Sequence, residues 1–190
     1  VACLYDKALS WFETSAKLAE ADLVSGASKK EKETEIAGIY NNIGSVYENM
    51  GKYPEALAEF EKALTIRLAV HGTEKPHPDV AESHNNIGDV YDSMGKYPEA
   101  LAELKKALTM RLAVYGTEKA RPDVAESYNS IGVVYENMGK YPEALAQYQK
   151  CIKLEMLVYG TEKPHPAVAT SYNNIGDVYE SMGKYPEALA

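Results

Sequence analysis

A chain of 190 residues with 45% apolar and 25% charged residues is long enough to bury a core, and its formal net charge of −8 argues against nucleic acid and anionic membrane as partners, because both select basic faces. No apolar run approaches the ~18 residues of a membrane-spanning helix, and no signal-peptide pattern opens the chain. Cys3 and Cys151 have no motif spacing, so buried free thiols in a reducing compartment, the cytoplasm, are expected rather than a disulfide. Starting at Val1 and ending at Ala190 inside a repeat, the sequence reads as a piece of something longer.

Residues 1–24 carry Leu4, Ala8, Leu9, Phe12, Ala16 and Leu18 near helical spacing, and Trp11 is expected to pack within this helix. Tyr5 and Ala8 share the offset of Phe60 and Ala63, so this is the second helix of a degenerate repeat. Ser25-Gly26-Ala27-Ser28 ends it, and the charged run from Lys29 to Glu35 begins the next helix. Ala8 to Tyr40 is 32 residues against 21 from Ala63 to His84, so the first connection holds an insertion, read as extra helix and a solvated loop.

From there one stretch returns with minor edits. NNIGSVYENMGKYPEALAEFEKAL from Asn41 becomes NNIGDVYDSMGKYPEALAELKKAL from Asn85, NSIGVVYENMGKYPEALAQYQKCI from Asn129 and NNIGDVYESMGKYPEALA from Asn173. Gly51, Gly95, Gly139 and Gly183 stand 44 residues apart, a period that indicates a solenoid or array of stacked units. Expected boundaries are 1–36 for the degenerate helix and linker, 37–80, 81–124 and 125–168 for three full repeats, and 169–190 for a fourth that is cut short.

Each unit reads as two helices. In the second copy the first helix starts at Pro78, with Asp79 and Glu82 well placed against the helix dipole, runs to Met94, and is broken by Gly95-Lys96. The second starts at Pro98, keeps Leu101, Leu104, Ala107, Leu108, Leu112 and Val114 on a helical period, and ends at Gly116, where a left-handed residue is expected. The linkers TEKPHP and TEKARP are too proline-rich to extend either helix. Gly88 with Ala100, and their copies Gly44 with Ala56, Gly132 with Ala144 and Gly176 with Ala188, are small where two helices approach closely, with Tyr91, Leu101, Leu104 and Ala107 placed to fill the space around the contact. The open end predicts that further repeats or a partner cover Ile175, Val178 and Tyr179.

The order Ile87-Gly88, Tyr91, Gly95, Tyr97, Ala100, Leu104, Ala107-Leu108 resembles the tetratricopeptide repeat. The long second helix, the glycine after it and the HPDVA entry at His77–Ala81 resemble the kinesin light chain branch of that family, over roughly residues 37–190. The period here is longer than in kinesin light chains, and nothing resembles the coiled coil that binds kinesin heavy chain. The resemblance implies an all-α, right-handed superhelical solenoid of antiparallel helix pairs. It also implies that the first helices line a concave groove in which a peptide lies.

Carried over position by position, that groove would present Asn41 and Asn42, Asn85 and Asn86, Asn129 and Ser130, and Asn173 and Asn174. A side-chain amide offers two donors and an acceptor, so a ladder of them can hold an extended backbone of any sequence; the competing reading is that one Asn of each pair bonds the neighbouring repeat. Asp89 and Asp177 belong to the same face, and Ser130 with Val133 makes a less polar patch that either receives an apolar ligand side chain or is a neutral exchange. Segments 37–50, 81–94, 125–138 and 169–182 contain Glu48, Glu82, Asp89, Asp92, Glu126, Glu136, Asp177 and Glu180 and no Lys or Arg. This is either a solvated acidic face or an acidic groove for a basic or neutral segment. The family's carboxylate clamp and its acidic tryptophan-containing cargo both require basic first helices, which are absent here.

Catalysis finds little support. His71, His77, His84 and His165 fall at a helix end, in proline loops and at a Tyr-equivalent position, where structural roles are expected, and GTEK lacks the spacing of a phosphate loop. The Tyr47 and Met50 series reads as repeat core, and no cofactor or metal is expected. The expected function is a peptide-binding adaptor; the alternatives are a scaffold element using its convex face or ends, with self-association through the open end, or the sensor array of a multidomain signalling protein.

Overall fold

A computed structural model describes residues 2–22, 29–73, 75–116, 120–160 and 165–188, with the side chains of residues 2, 3 and 22 outside the description. Among the described residues every regular element is a helix: α1 Ala2–Asp22, α2 Lys29–Asn49, α3 Tyr53–His71, α4 Pro78–Ser93, α5 Tyr97–Tyr115, α6 Pro122–Asn137, α7 Tyr141–Tyr159, α8 Pro166–Ser181 and α9 Tyr185–Ala188. The chain divides into two compact units, Val1–Gly95 and Lys96–Ala190. In the first, α2 lies between α1 and α3, and α3 also meets α4; in the second, α6 meets α5 and α7, and α8 meets α7 and α9. The architecture is an all-α array of antiparallel helix pairs. The Cys3 side chain, the Ser25–Ser28 break and most of the TEKP linkers lie outside the description.

Proline sets where helices begin. His77, Arg121 and His165 are extended, at φ −136°, −137° and −116°, as a residue before proline must be, and a proline opens α4, α6 and α8. His77 and His165 also cap their helices: each Nδ1 accepts the N–H two residues on, from Asp79 at 3.2 Å and Ala167 at 3.3 Å. Glycine sets where α3, α5 and α7 end, but not in the expected left-handed helical turn. Gly72, Gly116 and Gly160 have φ of 83°, 81° and 80° with ψ of 163°, 158° and 170°, an extended region that is essentially restricted to glycine. Each closes the last turn with its own N–H on a carbonyl four residues back. The insertion in the first connection includes extra helix, since α2 has 21 residues where α4 has 16.

Helices come together at the small residues, and the side chain that a Cβ would meet is the one at the repeat position of Leu104, not the alanine. A Cβ on Gly44 would stand 2.8 Å from the Phe60 ring, and one on Gly132 would stand 2.6 Å from the Tyr148 ring, in each case four residues beyond the alanine. At Gly176 the nearest atom is the Ala188 carbonyl oxygen, at 3.6 Å. Ala56 and Phe60 form a core with Ile87 and Val90, flanked by Tyr47, Tyr91 and Met94. Ala144 and Tyr148 do the same with Val178, flanked by Tyr135, Ile175 and Met182. Val178 is thus fully buried by its own unit, so the expectation that an outside chain covers it is corrected. The buried Tyr148 hydroxyl donates to Glu136 at 2.7 Å, which is why an aromatic with a polar tip is accommodated.

At the other end, α1 has only α2 to lean on. Leu9 and Ala16, with Phe12 and Ala19, pack on Ile39 and Ile43. A single neighbour buries a single stripe, so Leu4 and Leu18 are exposed rather than core, and Trp11 is 76% exposed rather than packed.

Gly132→Ala is expected to destabilise by the ~1–3 kcal/mol typical of overpacking, read from urea unfolding of the full chain, because the Tyr148 ring is held on both sides. A midpoint equal to that of the unaltered chain would contradict the assigned contact.

Candidate functional site

The first helices carry the asparagine pairs, and the structure joins them across successive repeats. Asn86 Nδ2 donates to Asn41 Oδ1 at 2.8 Å in the first unit, and Asn174 Nδ2 donates to Asn129 Oδ1 at 2.8 Å in the second. The second Asn of one repeat therefore reaches the first Asn of the repeat before it. Each such bond uses one of two N–H donors and one of two carbonyl lone pairs, so both amides keep hydrogen-bonding capacity. Asn42 and Asn173 are exposed, as is Asp177. Asn85 is only 3% exposed and donates to Asp89 at 2.8 Å, so it faces its own helix more than solvent. Val133 packs on the Ala144, Tyr148 and Val178 cluster rather than standing alone as an apolar patch.

The acids on these helices are in part already matched. Arg67 of α3 reaches α4 with Nη1 on the Asp79 carbonyl at 2.7 Å and on Ser83 Oγ at 2.8 Å, while Nη2 meets Glu82 at 2.9 Å. Arg111 of α5 repeats this on α6 with the Asp123 carbonyl at 2.5 Å, Ser127 Oγ at 2.7 Å and Glu126 at 3.1 Å. Both guanidinium groups are buried, which ties second helix to following first helix and neutralises Glu82 and Glu126. Reading only the first helices for charge missed these two arginines; their recurrence at one repeat position was the available signal. Glu48 is pushed up from the ordinary carboxylate range by burial. Asp177 and Glu180 are exposed.

One trio of possible metal ligands stands among the described residues: His71, His77 and Asp79. The two rings stack at 3.4 Å and both approach Asp79, at 3.4 and 3.7 Å. His77 Nδ1 already accepts the Asp79 N–H, and burial, followed by the neighbouring His77, lowers the His71 pKa, so the trio has a structural explanation as a linker clasp. Tyr159 stacks on His165 at 3.6 Å at the corresponding place in the second unit.

Comparison with known proteins defines the class. A tetratricopeptide repeat profile matches residues 35–113 and 123–190, and a second one matches 85–154. The chain belongs to the tetratricopeptide repeat family. No curated protein sequence matches it. Its fold is similar to that of BtubC (BKLC) from P. vanneervenii, with a TM-score of 0.77 and 18% identity over 97% of this chain and 69% of that one. It is also similar to a Podosopora anserina kinesin light chain-type protein of nearly identical TPR-like repeats, at TM-score 0.70 and 16% identity, covering 97% and 82%. A Rap protein complexed with competence and sporulation factor matches at TM-score 0.70 and 17% identity, over 97% of this chain and 47% of that one. Another, solved in complex with the Phr* peptide, matches at TM-score 0.67 and 21% identity, over 88% and 44%. Among the described residues no helix is long and apolar enough to cross a membrane.

Cys151 is buried with its Sγ 3.4 Å from Ser171 Oγ, and burial pushes its thiol up to about 11 from 9.0, against a smaller lowering by the serine. A folded pKa above the unfolded one adds stability below pH ~9 that is lost as pH rises toward ~11. Native Cys151 should therefore alkylate at pH 8 roughly 100-fold or more slowly than in the unfolded chain, since thiolate is the reactive form. Peptide mass spectrometry after timed iodoacetamide treatment reads this, and equal rates in both states would contradict the assigned burial.

Proposed function

We propose that this chain is a protein–protein interaction module whose first helices hold an extended, basic or neutral segment of a partner protein. The observation that carries the reading is the pair of amide bridges, Asn86 to Asn41 and Asn174 to Asn129. They fix the orientation of side chains that still have donors and acceptors to offer, and preorganised amides lose little freedom when they bind a backbone. Asn42, Asn173 and Asp177 extend the same helices toward solvent, and segments 37–50, 81–94, 125–138 and 169–182 contain no Lys or Arg to repel a basic ligand. Membership in the tetratricopeptide repeat family supports binding over catalysis, and the Phr* peptide held by a Rap protein of related fold supports a peptide-like ligand. A cytoplasmic location is part of this proposal, motivated by the free, buried Cys151. The repeat boundaries at 37–80, 81–124, 125–168 and 169–190 are retained as the working division.

The same amide bridges favour a second reading, because bonds that tie repeats together serve a scaffold as well as a receptor. In that case partners, or further copies of this chain, attach through other faces or the ends.

Panning a random peptide library on the full chain separates the two. Basic or neutral peptides should be enriched, with affinity falling as salt rises. The Asn86→Ala, Asn173→Ala, Asn174→Ala variant should bind them about 10-fold or more weakly, and lose about 1 kcal/mol of stability per broken bridge. Peptides that bind wild type and variant equally would move the interface elsewhere and leave the scaffold reading.

A further inference from the structure

The arginine clasp between a second helix and the following first helix is inverted once. Positions 67 and 111 are Arg, and the third copy has Glu155; their acidic partners Glu82 and Glu126 correspond to Thr170, and Asp79 and Asp123 correspond to Ala167. Only the serine stays, as Ser83, Ser127 and Ser171. The buried cation is thus replaced by an acid at the place where the glutamate paired with it is also removed.

Glu155 is 7% exposed, and among the described residues its Oε2 is buried with no hydrogen-bond partner. Leaving a carboxylate oxygen in that state is costly, and a donor that reaches it relieves the cost. Glu155 lines a cleft of about 560 Å³ within the second unit, together with Glu126, Asn129, Thr170 and Ser171. Asn129 and Glu126 belong to α6 and Thr170 and Ser171 to α8, so the cleft opens among the first helices. The nearby cations are engaged already: Arg111 holds Glu126 at 3.1 Å and Arg121 holds Asp123 at 3.6 Å. Neither pairs with Oε2.

We propose that this cleft receives one arginine side chain of a partner protein, which takes in trans the place that Arg67 and Arg111 fill in cis. Its guanidinium donates to Glu155 Oε2 and to Ser171 Oγ, the counterpart of the serines that Arg67 and Arg111 contact at 2.8 and 2.7 Å. Arginine suits the site better than lysine because a planar fork can serve a carboxylate and a hydroxyl at once. Thr170 leaves room where the other junctions hold a glutamate. The inference rests on the peptide-binding reading above and deepens it by naming one specificity-determining contact.

The test uses the full chain and three otherwise identical capped peptides taken from the panning, with arginine, lysine or citrulline at the central position, followed by calorimetry. The arginine peptide should bind at least about 30-fold more tightly than the citrulline one, and Glu155→Gln should erase that difference, as expected for a desolvated charge pair. The double variant Glu155→Arg, Thr170→Glu rebuilds the internal clasp; it should melt no lower than wild type and show no preference for arginine. A preference that survives in either variant overturns the proposal. So does equal binding of arginine and citrulline peptides to wild type, and binding of that kind that is still lost on removing the asparagines would leave the groove reading standing by itself. Tighter binding of the lysine peptide would likewise overturn the assignment of a guanidinium.

Discussion

In the first and third repeats a second helix lies against the first helix before it only because a glycine stands opposite an aromatic ring. Phe60 over Gly44 and Tyr148 over Gly132 leave no room for a Cβ, at 2.8 and 2.6 Å. This approach brings Ala56 with Ile87 and Val90, and Ala144 with Val178, into closed clusters, and it keeps consecutive first helices near enough for their asparagines to meet. The amide bridges and the arginine clasps are therefore secondary to a steric condition set by one residue per repeat. They add direction to a packing that apolar burial already favours.

Polar groups at the junctions are where the copies differ, and where function has room to vary. Two junctions are closed by the chain's own arginine, and one presents a buried carboxyl to a cleft. A stack whose repeats contact only their neighbours can change one junction without disturbing the rest. Near-identical copies therefore do not imply identical surfaces. Glu155, Ala167 and Thr170 change together, and the chemistry of one pocket changes with them.

Much of the fold was legible in residues. The 44-residue recurrence of glycine, the prolines at Pro78, Pro122 and Pro166 and the terminal glycines place the helices closely, because backbone geometry at Gly and Pro depends little on tertiary context. Trp11 was not legible, because apolar spacing marks more than one stripe on α1 and only the neighbouring helix decides which is buried. The Gly–ring contact was legible in part: small residues marked the approach and the Leu104 position was among those expected to fill it, but spacing alone does not say which of them lies directly over the glycine. The asparagines were read either as a ladder along the groove or as bonds to the neighbouring repeat, and the structure forms such bonds at two places; which Asn of a pair bonds which depends on a 45-residue register that emerges only when repeats stack. Arg67 and Arg111 sit on helices that were read for apolar pattern, so the charge balance of the first helices was seen without its partners.

The most direct measurement is a titration of the 15N-labelled full chain with the tightest enriched peptide, following the side-chain amide signals of asparagine. Saturable shifts of Asn42, Asn86, Asn173 and Asn174, with signals from the second helix α3 unmoved, are the predicted result. Shifts confined to α3 and α7 and a silent set of asparagine amides would contradict a binding face on the first helices.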